Sequence, residues 1–141
     1  MKYMLLVSHG MFAKGLADAL QMLVGPKKEL LVCGLKENQS IDSFANDFSM
    51  LIKDIPVGSE LVVLGDLIGG SPLTNATSIL MEKGFTETMV VMGGMNLPLA
   101  VTVALMKDSL SKEELVVQVT KEAREALKEF RLVKNNEDED I

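Results

Sequence analysis

Apolar residues fall along this chain in two alternating rhythms. Residues 3–7 (Tyr-Met-Leu-Leu-Val) form an unbroken apolar run, which suits a parallel strand buried on both faces. Residues 12–24 repeat their apolar positions at helical spacing and stop at Gly25-Pro26. Residues 29–35 read as a second strand. Ser40 then caps a helix in which Ile41, Phe44, Ala45, Phe48, Leu51 and Ile52 share one face, ending before Pro56. Residues 60–65 are a third strand. A helix follows with Ser71 as its cap and Pro72 in its first turn, running to Lys83 and stopping at Gly84. Residues 88–92 are a fourth strand, followed by Gly93-Gly94, and Pro98 opens another helix. Ser111-Lys-Glu-Glu114 is a capping box for a long helix with Leu115, Val119, Ala123 and Leu127 on one face. Residues 130–133 are expected to add one short last strand.

This alternation predicts an α/β fold of three layers: a mostly parallel central sheet with helices on both faces. Four strands are expected to be parallel, and the short C-terminal strand to lie antiparallel at an edge. Right-handed crossovers bring the C-terminal ends of the parallel strands to one edge, where such folds bind ligands. Three loops converge there: Ser8-His9-Gly10, the stretch from Asp66 to Ser71, and the stretch from Gly93 to Asn96. Residues 1–134 are expected to form one domain. Residues 135–141 are acidic and are expected to be a disordered tail.

Composition narrows the classes of partner. A chain of 141 residues suits one domain with an adequate core. The net charge of −6 argues against nucleic acid or anionic lipid as the main partner, though not against a basic protein. The single cysteine, Cys33, forbids an internal disulfide and fits a reducing compartment. Residues 1–7 lack the length and cleavage pattern of a secretory signal. The apolar run at residues 97–106 contains a proline and falls well short of the roughly 18 residues of a spanning helix. A cytoplasmic protein is expected, at most peripherally associated with a membrane complex.

His9 is the only histidine, and it stands at a strand–helix junction on the expected ligand edge. Imidazole is a nucleophile near neutral pH. The residue alone fits a loop histidine without a role equally well. Asp66 ends a strand, where a carboxylate is poorly suited to a sheet interior. It can hold one imidazole nitrogen protonated and free the other for attack, or it can be a turn aspartate that bonds its own backbone. Gly69-Gly70-Ser71-Pro72 is more specific, because glycines let the backbone approach an anion at a helix N-terminus. The same stretch also reads as plain capping. No lysine follows as in a nucleotide P-loop, so ATP binding is not indicated. Gly93 to Asn96 can wall the site or simply turn the chain. One histidine and one cysteine make a zinc site improbable.

Taken together, the loops resemble the mannose-family IIA components of the bacterial sugar phosphotransferase system. The resemblance rests on V-S-H-G at residues 7–10, G-D-L-I-G-G-S-P at residues 65–72 with Asn75 beyond it, and G-M-N-L-P at residues 94–98. It covers about residues 1–133. It implies that His9 is the phosphorylated histidine, Asp66 its carboxylate partner, and Ser71 a phosphate contact with Gly69 and Gly70. Ser8, Gly10 and Asn96 are further loop candidates. It also implies a donor, the histidine-containing phosphocarrier protein, and an acceptor, a IIB component that serves the membrane IIC and IID components. No metal, nucleotide or other cofactor is required. The family is typically dimeric, in some members by exchange of a C-terminal strand, here residues 130–133.

Two other readings compete. The phosphocarrier subunit of a phosphoenolpyruvate-dependent dihydroxyacetone kinase resembles the same fold and also uses a histidine after its first strand. A non-catalytic module that holds an anion at the Ser71 helix start is the other. A histidine phosphatase would need an arginine before the histidine and a second histidine, and this chain has Ser8 and no other histidine.

Overall fold

The computed structural model describes residues 1–133, and the expected acidic tail lies outside the described residues. The elements follow in the order β1 (Tyr3–His9), α1 (Phe12–Val24), β2 (Leu30–Leu35), α2 (Ile41–Ile52), β3 (Leu61–Gly65), α3 (Ser71–Glu82), β4 (Met89–Met92), α4 (Leu97–Met106) and α5 (Lys112–Glu125). The four strands form one parallel sheet in the order β2-β1-β3-β4.

Strand residues point alternately to opposite faces, and the central strands are apolar at every step over Tyr3–Val7 and Leu61–Leu64. Met4 and Leu6 of β1, with Val62 and Leu64 of β3, pack beneath α1, α4 and α5. Leu5 and Val7, with Leu61 and Val63, pack on the other side against Phe44 and Phe48 of α2 and Leu73, Ala76 and Leu80 of α3. The core is therefore split by the sheet into two apolar layers, as expected for three-layer packing. Ser40 accepts the Ser43 N–H at 3.1 Å to cap α2, and Ser111 and Glu114 form the reciprocal capping box of α5.

The edge away from the ligand loops carries a buried charge that the apolar pattern does not reveal. Lys107, at the end of α4, is 1% exposed and donates to Glu29 at 3.0 Å and to Asp108 at 2.9 Å. Asp108 in turn accepts the Lys2 main-chain N–H at 2.8 Å. This network joins the end of α4 to the starts of β1 and β2.

The expected C-terminal edge strand is not formed. Residues 130–133 are irregular, and Leu127, Phe130 and Leu132 are strongly exposed. A strand exists only as a member of a ladder, and this segment has no main-chain partner among the described residues. Among those residues no helix is long and apolar enough to cross a membrane.

Candidate active site

The chain leaves β1 for β2 on one side and reaches β3 on the other. A crevice opens at the carboxyl ends of the strands where the winding reverses in this way. His9 is the last residue of β1, and Asp66 follows the last residue of the neighbouring β3. The topology alone brings them face to face.

His9 Nδ1 lies 2.9 Å from Asp66 Oδ2. The same oxygen accepts the main-chain N–H of His9 at 2.9 Å, and Oδ1 accepts the Leu67 N–H at 2.9 Å. Partial burial raises the Asp66 carboxyl, but bonds from the His9 main chain, the imidazole and the Leu67 main chain more than offset it. The net effect holds the group below the usual carboxylate range. An ionised carboxylate can only accept, so the ring presents Nδ1–H to it, and in the neutral imidazole the lone pair is then on Nε2. The His9 side chain is 47% exposed and that of Asp66 only 14%. The imidazole faces solvent while its carboxylate partner is sheltered.

The turn that carries His9 is fastened from below. Ser8 is fully buried; its hydroxyl accepts the Ala13 N–H at 2.7 Å and donates to the His9 carbonyl at 3.0 Å. It thus caps α1 from outside the helix and does not face the site. Gly10 adopts the left-handed conformation (φ +51°) and donates its N–H to the Leu35 carbonyl at 2.7 Å. Its own carbonyl backs onto Gly34, where a Cβ would collide with it.

Across the crevice, Gly69 turns the chain at φ +85°. The N-cap of α3 is Gly70, and Ser71 is the first helical residue, with Pro72 behind it. The expected cap is thus displaced by one position. Ser71 gives no capping bond and stands exposed on the first turn, where helix N–H groups lack intrahelical partners. Asn75 secures this turn by donating to the Ser71 carbonyl at 2.8 Å. Asn96 caps α4 by accepting the Leu99 N–H at 2.8 Å, so its side chain serves the helix. The neighbouring Met95 N–H binds the Gly65 carbonyl at 2.9 Å and ties this loop to the end of β3.

Four apolar residues that follow the ends of β1 and β3 are given no role in the sequence reading. Met11 and Phe12 follow His9, Leu67 and Ile68 follow Asp66, and all four are at least half exposed. Their signal in the sequence is an apolar residue where a turn ordinarily carries a polar one. Among the described residues, no three His, Cys, Asp or Glu side chains gather in a way that would hold a metal ion.

Known proteins resemble this chain in sequence and in fold. The chain is 27% identical over 108 residues to the fructose-specific EIIA component of Bacillus subtilis, covering 77% of this chain and 72% of that protein. It is 25% identical over 125 residues to the mannose-specific EIIAB component of Escherichia coli, covering 88% of this chain but only 38% of that longer protein. The IIA protein associated with a fucose utilization operon in Streptococcus pneumoniae superposes with a TM-score of 0.72 at 29% identity, over 90% of this chain and 96% of that one. The mannose/sorbose-specific IIA subunit of Enterococcus faecalis shares the fold, with a TM-score of 0.79 at 24% identity over 95% of this chain and 98% of that one. The family model described as PTS system fructose IIA component matches residues 3–120. The chain therefore belongs to the EIIA-man family of phosphotransferase-system IIA components, phosphoryl carriers in sugar transport.

Proposed function

We propose that His9 is the phosphoryl acceptor of this IIA component, loaded at Nε2 by the histidine-containing phosphocarrier protein and discharged to a IIB component. The observation that carries this reading is the 2.9 Å approach of His9 Nδ1 to Asp66 Oδ2. The Nε2 lone pair attacks phosphorus while the bond from phosphorus to the donor nitrogen breaks, and the donor imidazole keeps that electron pair. The His9 ring retains Nδ1–H and becomes positive, and Asp66 balances the charge. Nothing has to be deprotonated, so the work of the protein is alignment and charge support. The Ser71 hydroxyl and the main-chain N–H groups of the first turn of α3 are suited to the equatorial oxygens of the group in flight. Met11, Phe12, Leu67 and Ile68 provide apolar contact for either partner around the ring. The test is incubation with phosphoenolpyruvate, its upstream kinase and the phosphocarrier protein. The parent should gain one acid-labile phosphate, whereas an anion-binding module would gain none.

Because Ser71 is not the cap, its role in transfer separates cleanly from helix stability. Ser71→Ala should lower the folding stability, followed by thermal melting, by far less than the ~1 kcal/mol typical of a lost cap. It should nevertheless slow phosphoryl transfer several-fold. Transfer at the parent rate would mean that the main chain alone holds the phosphate.

We further propose a homodimer that uses the segment around residues 130–133. Leu127, Phe130, Leu132 and Val133 are exposed after α5. A groove of about 460 Å³, lined among others by Val91, Leu99, Val116 and Leu127, runs beside the free edge of β4. A segment of a second copy added to that edge would satisfy its main-chain groups and cover these side chains. Truncation after Arg131 should shift the sedimentation equilibrium towards monomer, and removal of residues 135–141 should not. A parent chain that is monomeric at micromolar concentration would overturn this.

A further inference from the structure

Gly70 is a glycine that its own backbone does not require. Its conformation, φ −78° and ψ 154°, is open to any L-residue. It occupies the N-cap of α3, where Ser, Thr, Asp or Asn would accept an N–H of the first turn, and α3 has no side-chain cap as a result. Glycine here also leaves the unfolded chain more freedom to lose than any other residue would. Both considerations favour a side chain at this position. The adjacent Gly69 is the opposite case, with φ +85° and nothing within 4 Å of where its Cβ would stand.

The His9 ring is what excludes a side chain. A Cβ on Gly70 would lie 2.9 Å from His9 Cε1, while its next contacts, the Leu67 carbonyl oxygen and Cβ, would be at 3.4 and 3.5 Å. Two carbons cannot rest that close, so one side must give. The half-exposed imidazole is freer to move than the main chain of a turn. It would swing away from Gly70, and that rotation draws Nδ1 off Asp66.

We infer that Gly70 is a positioning residue for phosphoryl transfer, whose absent side chain seats the edge of the His9 imidazole, keeping Nδ1 on Asp66 and Nε2 turned outward. This rests on His9 being the acceptor. Helix capping is given up so that the ring can be held between a carboxylate on one side and bare main chain on the other.

The experiment uses the full chain, whose single histidine makes its ring signals unambiguous. Long-range nitrogen–proton correlation at about pH 8.5, two units above the reference imidazole pKa, reads the tautomer directly. The parent should show the Nδ1–H form predominating. Gly70→Ser and Gly70→Ala should fold, with Gly70→Ser melting no lower than the parent. Both should lose that tautomeric bias and accept phosphate roughly ten- to a hundred-fold more slowly, as a misplaced reacting atom does. Unchanged ring signals together with an unchanged rate would overturn the inference. So would a large fall in melting temperature in both variants, which would make Gly70 a residue of the fold. If the parent itself takes no phosphate, the acceptor reading fails, yet the ring spectra still decide whether Gly70 seats His9.

Discussion

His9→Ala will take up no phosphoryl group from the phosphocarrier protein while remaining folded. The imidazole is half exposed and belongs to neither apolar layer, so its removal leaves no cavity in the core. The main-chain N–H of residue 9 remains available to Asp66, which keeps the ends of β1 and β3 together. What is lost is the only imidazole in the chain. A carboxylate could in principle be phosphorylated instead, but an acyl phosphate is cleaved by base and a phosphohistidine by acid. The two are told apart by labelling the parent and the variant and exposing both to each condition. Base-stable, acid-labile label persisting in His9→Ala would sink the acceptor assignment.

Asp66→Asn should slow transfer by at least about ten-fold, and two losses combine to do it. An amide has one accepting oxygen in place of two, and Asp66 accepts from the His9 main chain, the His9 ring and the Leu67 main chain. Whichever way the amide turns, its NH₂ meets a donor, at a cost of about 1–3 kcal/mol for the bond left unmade. If the NH₂ faces the ring, it favours the tautomer whose lone pair is on Nδ1, the wrong nitrogen for attack. The neutral amide also removes the charge that balances the ring as the N–P bond forms. The corresponding change in a Ser-His-Asp triad lowers the rate by roughly 10⁴. Here the ring is open to water, which weakens the pairing, and the smaller figure follows. A folded variant whose rate stays within two-fold of the parent, on the order of 0.4 kcal/mol in the barrier, would reduce Asp66 to a turn residue. Because the Asp66 carboxyl is held below the usual range, the parent should show no loss of transfer from its protonation between about pH 5 and 8.

The facing of His9 and Asp66 was legible because it follows from topology. Continuous apolar runs mark buried parallel strands, and residues at their C-terminal ends meet on one edge whatever the details of packing. What depends on single atoms was less legible. Ser71 and Gly70 are both acceptable at an N-cap, so the pattern around Pro72 left the helix start uncertain by one residue. Ser8 reads as a loop hydroxyl, and only the closeness of the Ala13 N–H turns it inward. Asn96 stood among the site candidates because its loop reaches the ligand edge, but a capping residue is recognised only when its N–H partner is in view. Lys107 and Glu29 look like surface charges, and their pairing links residues 78 positions apart, a separation no local pattern encodes. The last strand failed for a related reason, since pairing is a property of two segments and the pattern describes one.

Asp66 is fastened by two main-chain N–H groups, one from His9 and one from Leu67. Both donors are main-chain groups, which a phosphoryl group on the proposed acceptor Nε2 would not displace. In the proposed relay this carboxylate is then held the same way in the loaded and the empty form, and favours neither direction of transfer. Net flow then follows the ratio of charged to uncharged partner on either side. When the downstream acceptor is saturated, such a carrier can also discharge backwards to the uncharged donor, and under the proposed function the charge it holds becomes a running report of how much sugar is passing.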